Sequence, residues 1–310
     1  EFLHPSFNLH LVRTFRSSSD SPNFQNIPIR DKEIGRIIRS CFMPRRGNVL
    51  IEIDYSAIEV RIAACYHKDR NMLYYIRNGL DLHRKMAEKC FKLTEEQVSK
   101  EARFYAKNQF VFPLFYGSYW KKIAPNLWDI IDSVKTKDGK TLREHLTDCG
   151  LGDYSSFEMH ISEMEYHFWN EMFPEYYKWR KDWWESYLRK GYFDLLSGFR
   201  QWGVFSRNDV INYPIQGSAF HCLLWSLIRL VKWCRKYLKG RGGIVGQIHD
   251  SILADVPLEY KDLYIEKAIE IMTKEIVKKW KWIIVPLDVE VEVSESNWFE
   301  KKPIEFGKGG

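Results

Sequence analysis

The chain has 310 residues, of which 45% are hydrophobic and 28% charged, with a formal net charge of +6. That is an ordinary balance for a soluble globular protein with a real core, and its length allows one large domain or two. No run of 18 apolar residues exists, which excludes a hydrophobic membrane span, and the opening "EFLHPSFNLH" lacks the order of a signal peptide. It begins with Glu1 rather than Met, as a fragment or a processed piece would. The six cysteines (Cys41, Cys65, Cys90, Cys149, Cys222, Cys234) form no CxxC pair, which argues for a reducing, cytoplasmic compartment and against a zinc site. The positive charge admits a polyanionic partner but does not by itself demand one.

In chain order, Arg16 and the Ser-, Asn- and Pro-rich "SSSDSPNFQNIPIR" that follows it predict an ordered loop. A short helix over 32–40 comes next. In "NVLIEID" (48–54), Val49, Ile51 and Ile53 face one way and Leu50, Glu52 and Asp54 the other, which is strand periodicity. "AIEVRIAACYH" (57–67) is helical. The pattern stays helical from about 70 to 190, broken near 136–141 and 149–156, and six of the twelve Trp fall between 120 and 190. A helix over 213–238 leads into two short strands, "GIVGQI" and "SILADV", with His249 and Asp250 at the turn between them. A helix over 259–280 and an alternating strand over 287–294 close the pattern. Strands at both ends and helices between them predict an α+β fold, an antiparallel sheet interrupted by a helical insertion.

Two features carry chemistry. Asp54 ends a strand and Asp250 sits at a hairpin turn, so carboxylates on adjacent strands could hold divalent metal through hard oxygen ligands. The alternative is two turn residues with solvated side chains. In "EARFYAKNQFVFPLFYG" (101–117), Arg103 and Lys107 are i and i+4, as are Phe112 and Tyr116. Such a helix could offer cations to phosphates and a ring to a base; otherwise it is a surface pair beside a core pair. On a regular helix Phe112 would lie about 180° from Arg103, and Pro113 cannot donate to the carbonyl of Gln109. One residue absorbed as a π-bulge within 108–113 resolves both conflicts.

Taken together and in order, these stretches resemble the family A DNA polymerases, the bacterial DNA polymerase I group and its phage relatives. "IRSCFMPRRGNVLIEIDYSAIEVRIAA" is similar to the family's first catalytic motif, "QIHDS" to the second, and "RFYAKNQFVFPLFYG" to the nucleotide-binding helix. "RSSSDSPNFQNIPIR", "DLHRKMAEKCF", "INYPIQGSA" and "VPLDVEVEVSESNW" match four further segments. The resemblance implies a palm over 1–66 and 208–310 and fingers over 67–207, with an insertion at about 120–170 and with thumb and 3′–5′ exonuclease domains absent. It implies DNA-directed DNA synthesis in which Asp54, the Tyr55 carbonyl and Asp250 ligate two Mg²⁺, with Mn²⁺ a substitute.

By the same resemblance His83, Arg103 and Lys107 hold the triphosphate, Glu59 excludes a 2′-OH, and Phe112 and Tyr116 pack on base and sugar. Phe at 112 implies discrimination against dideoxynucleotides. Arg16, Gln25, Arg207, Asn212, Gln216 and His249 are the implied primer–template contacts. The implied partners are primer–template DNA, dNTP, and a separate thumb-bearing chain or processivity factor; the setting is a bacterial or phage-infected cytoplasm, with no membrane. The chain departs from the pattern at Ser251, where the family has Glu, and at His221, where it often has Asp. One extra residue before the aromatic leaves Phe110 as the alternative to Phe112, and the step from Arg207 to Asn212 is also one residue longer. The competing readings are a metal-dependent nuclease and a weak or inactive polymerase fragment that binds primer–template; Glu59 argues against a single-subunit RNA polymerase.

Overall fold

The computed structural model describes residues 2–29 and 31–304, so Arg30, the last residue of the loop expected at 17–30, lies outside it. Its strands are β1 (Ser6–Asn8), β2 (Ser18–Asp20), β3 (Asn48–Tyr55), β4 (Tyr192–Asp194), β5 (Arg200–Trp202), β6 (Gly243–Ile248), β7 (Ser251–Pro257), β8 (Val289–Ser294) and β9 (Lys302–Pro303). The chain forms two compact units. One comprises residues 1–66, 190–203 and 213–310, and the other 67–189 and 204–212. The fold is α+β, as expected, with a five-stranded antiparallel sheet in the first unit.

The sheet order β6–β7–β3–β8–β9 puts β3 at its centre, although its neighbours come from the far end of the chain. Hydrophobic pattern explains the choice of centre. Val49, Ile51 and Ile53 are buried on one face, and Leu50 is buried on the other, where it joins Phe24, Ile248, Leu253 and Trp298. A strand covered on both faces pairs on both edges, since an unpaired buried edge would strand its backbone groups. Strict alternation therefore breaks at Leu50 and returns only at Glu52 and Asp54, and the second face opens to solvent at Asp54.

Side chains pointing the other way lock β3 down. The Tyr55 hydroxyl is buried, 3.0 Å from Ser226 Oγ, and donates to the Met272 carbonyl at 2.9 Å. Met272 lies in a π-helical turn, Glu270–Glu275, which interrupts the helix expected over 259–280. Such turns pull carbonyls out of the regular ladder and leave them to other donors.

The helix Arg207–Tyr237 begins six residues earlier than its sequence pattern suggested and runs through Pro214. A proline inside a helix costs roughly 3 kcal/mol, part of it from the missing N–H. Here the Val210 carbonyl, four residues before the proline, accepts the Trp183 indole N–H at 3.0 Å instead. Two short hairpins, β1–β2 and β4–β5, were not visible in the pattern. At three residues per strand they are too short for alternation to register.

The second unit is helical. Its helices include Arg70–Arg77, Leu82–Cys90, Lys100–Tyr105, Trp120–Trp128, Leu142–Asp148, Tyr154–His167 and Pro174–Lys190. The Trp-rich stretch supplies its core: Phe168 contacts Phe110, Phe115, Trp169 and Phe173 at ring separations of 5.0–5.9 Å. Edge-to-face and tilted pairs of this kind each add about 0.5–1.5 kcal/mol beyond area burial.

Back in the sheet, β6 carries a bulge between Ile244 and Gly246, and a Cβ on Gly246 would lie 2.3 Å from the Phe24 ring. Gly246→Ala is therefore expected to destabilise the protein by about 1–3 kcal/mol through overpacking. A urea melt in which the alanine variant matches the parent would contradict this packing.

Candidate functional site

The first group of site residues sits where the sheet opens. Asp54 is directly paired with Ser251 on β7 and with Glu290 on β8. Asp250 occupies the two-residue turn between β6 and β7, and its carbonyl accepts the Tyr55 N–H at 3.2 Å. A two-residue hairpin turn needs left-handed backbone, and His249 supplies it with φ +49°. The turn thus delivers Asp250 to the strand end that carries Asp54.

Both carboxyls are displaced from their ordinary range. Asp54 reaches solvent at the open end of its strand, yet the surrounding protein, then Asp250, Glu52 and Glu290, push its pKa up to about 7. Burial pushes Asp250 up to about 6, with Arg16 opposing and Glu59 adding to the rise. Arg16 bridges these groups: its Nη2 hydrogen-bonds Glu59 and lies 3.7 Å from Asp250 Oδ1. Arg16, Glu59, Asp54 and Asp250 are therefore one cluster.

The Gln25 amide nitrogen is engaged internally. It donates to Ser17 Oγ at 2.9 Å and to Gln247 Oε1 at 2.8 Å, while Gln247 Nε2 donates to the His249 carbonyl at 2.6 Å. This chain braces the turn from beneath and leaves the His249 side chain exposed. Gln216 is half-buried on the long helix, beside Gly217, where a Cβ would lie 2.5 Å from the Thr14 carbonyl.

The second group belongs to the helical unit and is built by a π-turn. The helix Lys100–Tyr105 passes into a π-helical segment, Ala106–Val111, before the short helix Phe112–Phe115. The bulge expected within 108–113 is present, and its sign is the Phe112 N–H bonded to the Lys107 carbonyl five residues back. It turns Phe112 to the cationic side. Lys107 Nζ lies 5.2 Å from the Phe112 ring centre, the His83 ring 5.5 Å, and Tyr116 6.3 Å. Phe110, the alternative, is fully buried against Phe168.

Arg103 is held by Asp81, Nε to Oδ2 at 2.5 Å. Asp81 also caps its helix by accepting from the Arg84 N–H at 3.0 Å. Burial raises the Asp81 pKa, but Arg103 and the Arg84 N–H outweigh it and hold the carboxyl below its usual range. Burial, Lys107 and Arg103 together push His83 down to about 4, so the imidazole is neutral at pH 7, and its Nδ1 has no hydrogen-bond partner among the described residues. Arg207 is exposed at the start of the long helix, and Asn212 is half-buried one turn further on.

Sequence reasoning missed Asp81 and Glu290. The N-cap position of Asp81 before "LHRKM" and the placing of Glu290 in the closing strand were the available signals, but neither says which side chain it will face.

The model of DNA polymerase family A matches residues 1–300. The chain belongs to that family. It is 31% identical to DNA polymerase I of Caldicellulosiruptor bescii over 97% of this chain and 32% of that one. For DNA polymerase I of Bacillus subtilis the figures are 28%, 97% and 31%, and for the thermostable enzyme of Thermus aquaticus 26%, 97% and 33%. The chain thus spans about a third of the length of these curated relatives. Among solved structures, the POL domain of Pol1 from M. smegmatis, in complex with DNA primer-template and dNTP, superposes with a TM-score of 0.74 at 25% identity, covering 96% of this chain and 48% of that one.

Family A membership implies divalent metal. Among the described residues no three acidic, His or Cys side chains form a ready cage. Two carboxylates fit Mg²⁺ nonetheless, because that ion commonly takes one or two protein carboxylates and completes its shell with water and phosphate oxygens. The raised pKa values of Asp54 and Asp250 point the same way, since a cation relieves the cost of ionising both.

That cost has a measurable sign. A carboxyl whose folded pKa lies above its unfolded value withdraws stability as pH rises between the two, here from about 4 to about 7 for Asp54. In chelator, Asp54→Asn is expected to gain in Tm over the parent as pH rises from 4.5 to 8. A gap that stays constant with pH would refute the shift.

Proposed function

We propose that this chain carries out template-directed DNA synthesis by nucleotidyl transfer from dNTP to a primer 3′-OH. The observation that carries the reading is the convergence of Asp54 and Asp250 on adjacent strand ends, in a chain of family A. In this reading residues 1–66 and 208–310 are the palm and 67–207 the fingers, bounds that differ from the two compact units at 190–203 and 208–212.

Asp54, Asp250 and the Tyr55 carbonyl would hold two Mg²⁺, which supply a lowered pKa for the primer hydroxyl and charge neutralisation at the phosphates. The primer oxygen attacks the α-phosphate in line, and pyrophosphate leaves. Arg103 and Lys107 bind the triphosphate and neutralise its developing charge, with Asp81 fixing the Arg103 fork. Neutral His83 offers a hydrogen bond without adding a third cation. Phe112 and Tyr116 present ring faces to the incoming nucleotide, and their grouping with Lys107 favours Phe112 over Phe110 for this role. Glu59, held by Arg16, limits space at the sugar and so selects dNTP over NTP. Arg16, Gln25, Arg207, Asn212, Gln216 and His249 are proposed primer–template contacts, and minor-groove acceptors common to every correct pair would let such contacts test shape without reading sequence.

The test is single-nucleotide primer extension with excess enzyme, Mg²⁺ and each dNTP in turn. Templated addition is expected, and Asp250→Asn should cut it by several orders of magnitude while primer–template affinity stays within a few-fold. Retained activity in that variant would remove the carboxylate assignment. No addition by the parent, with Mg²⁺-independent binding of primer–template, would make the chain a binding module instead, the reading that Ser251 favours. Independently, Glu59→Ala should raise incorporation of ribonucleotides relative to deoxyribonucleotides, and an unchanged ratio would exclude Glu59 as the sugar gate.

A further inference from the structure

One nearly buried carboxylate of β3 has entered so far only through its charge on Asp54. Glu52 stands two residues before Asp54 on the same face of β3. Its Oε1 accepts from Ser251 Oγ at 2.9 Å, and its Oε2 accepts from Trp298 Nε1 at 2.7 Å and Lys301 Nζ at 2.5 Å. Lys301 also reaches Glu292 Oε2 on β8 at 2.5 Å. The side chains of Glu52 and Lys301 are only 11% and 15% exposed. Trp298 is itself clamped, stacked on Phe24 at 5.5 Å with the Arg39 guanidinium 4.0 Å from its ring centre.

The partner that matters is Ser251, the residue after Asp250. Its hydroxyl has one proton and two acceptors in reach, Glu52 Oε1 and the Ile248 carbonyl at 3.0 Å. The carboxylate is the stronger acceptor. Glu52 therefore joins the strand bearing Asp54 to the residue bearing on Asp250, at the point where the hairpin turns. A buried ion pair kept only for stability is a weak device, because desolvation consumes most of its attraction. A third partner on the hairpin indicates a different use.

We propose that Glu52 is a positioning residue for the proposed polymerase reaction: through Ser251 it holds the Asp250 turn against Asp54, and Lys301 and Trp298 hold Glu52. The proposal rests on Asp54 and Asp250 being the reactive pair. It also gives Ser251 a reason. A hydroxyl at 251 donates to Glu52, whereas a carboxylate there would face it and push the turn away.

The test compares parent, Glu52→Gln, Ser251→Ala and Ser251→Glu in primer extension with Mg²⁺ titrated, and in hydrogen exchange of the 246–253 amides in chelator. Ser251→Ala leaves the Glu52, Lys301 and Trp298 contacts in place, so it keeps the fold. Removing an outer support of this kind typically costs 10–100-fold in metal affinity or activity. Expected for Ser251→Ala and Glu52→Gln are a fall of about tenfold in the extension rate, a higher Mg²⁺ requirement and an unchanged KM for dNTP, with faster exchange confined to the turn. Ser251→Glu should be worse than Ser251→Ala, and adding Glu52→Ser to it should recover rate. Unchanged Mg²⁺ requirement and turn exchange in Ser251→Ala would overturn the proposal, leaving Glu52 a stability element. If the parent shows no templated addition, the proposed function fails, and turn exchange alone still decides whether Glu52 positions the hairpin.

Discussion

The structure of the first unit turns on holding two carboxylates together where neither is at ease. Asp54 and Asp250 come from opposite ends of the chain and meet because β3 is the central strand and β7 its neighbour. Burial raises both pKa values, with Asp250 adding to the rise at Asp54 and Glu59 to that at Asp250, so the fold carries an electrostatic cost at this point. It can do so because the rest of β3 is anchored on both faces, by Tyr55 below and by the Phe24, Leu50 and Trp298 cluster above. Arg16 offsets part of the charge, and Glu59 shares that guanidinium. The strained His249 backbone belongs to the same account, since residues in sparsely populated backbone regions persist only where surrounding contacts over-determine them.

The second unit meets a different problem, aiming aromatic and cationic side chains from one helix in one direction. A regular helix through Pro113 would set Phe112 opposite Arg103. The π-turn at Ala106–Val111 adds one residue to the winding, so that Phe112 faces Lys107 and His83 while Phe110 goes into the core. The aromatic packing around Phe168 and Trp169 is what makes the turn affordable. Phe110 and Phe115 are both fixed in it, one on each side of the proline.

Both units use irregular helices as tools. The carbonyl freed by Pro214 goes to Trp183, and a carbonyl of the 270–275 turn goes to Tyr55. In each case the local defect is repaired by a side chain that also ties two elements together. Such repairs are tertiary by nature, and this is why two of the three π-turns among the described residues, at Phe168–Met172 and Glu270–Glu275, leave no sign in the residue pattern. The third was legible only because Pro113 and the spacing of Phe112 from Arg103 are incompatible with a straight helix.

By itself the sequence determined the α+β class, the long strands and helices, the hairpin with Asp250 at its tip, and the family through its ordered motifs. These are local or additive signals: period 2 against period 3.6, turn residues, and residue spacing within single elements. Only the tertiary structure decided that Phe112 rather than Phe110 joins Lys107, that Arg16 lies on Glu59, that Gln25 braces the turn, and that Glu52 links Ser251 to Lys301. Each of those depends on which side chains from distant parts of the chain occupy the same few ångströms. Pairing across 199 or 249 positions is set by packing and burial, and a periodic pattern holds no information about it.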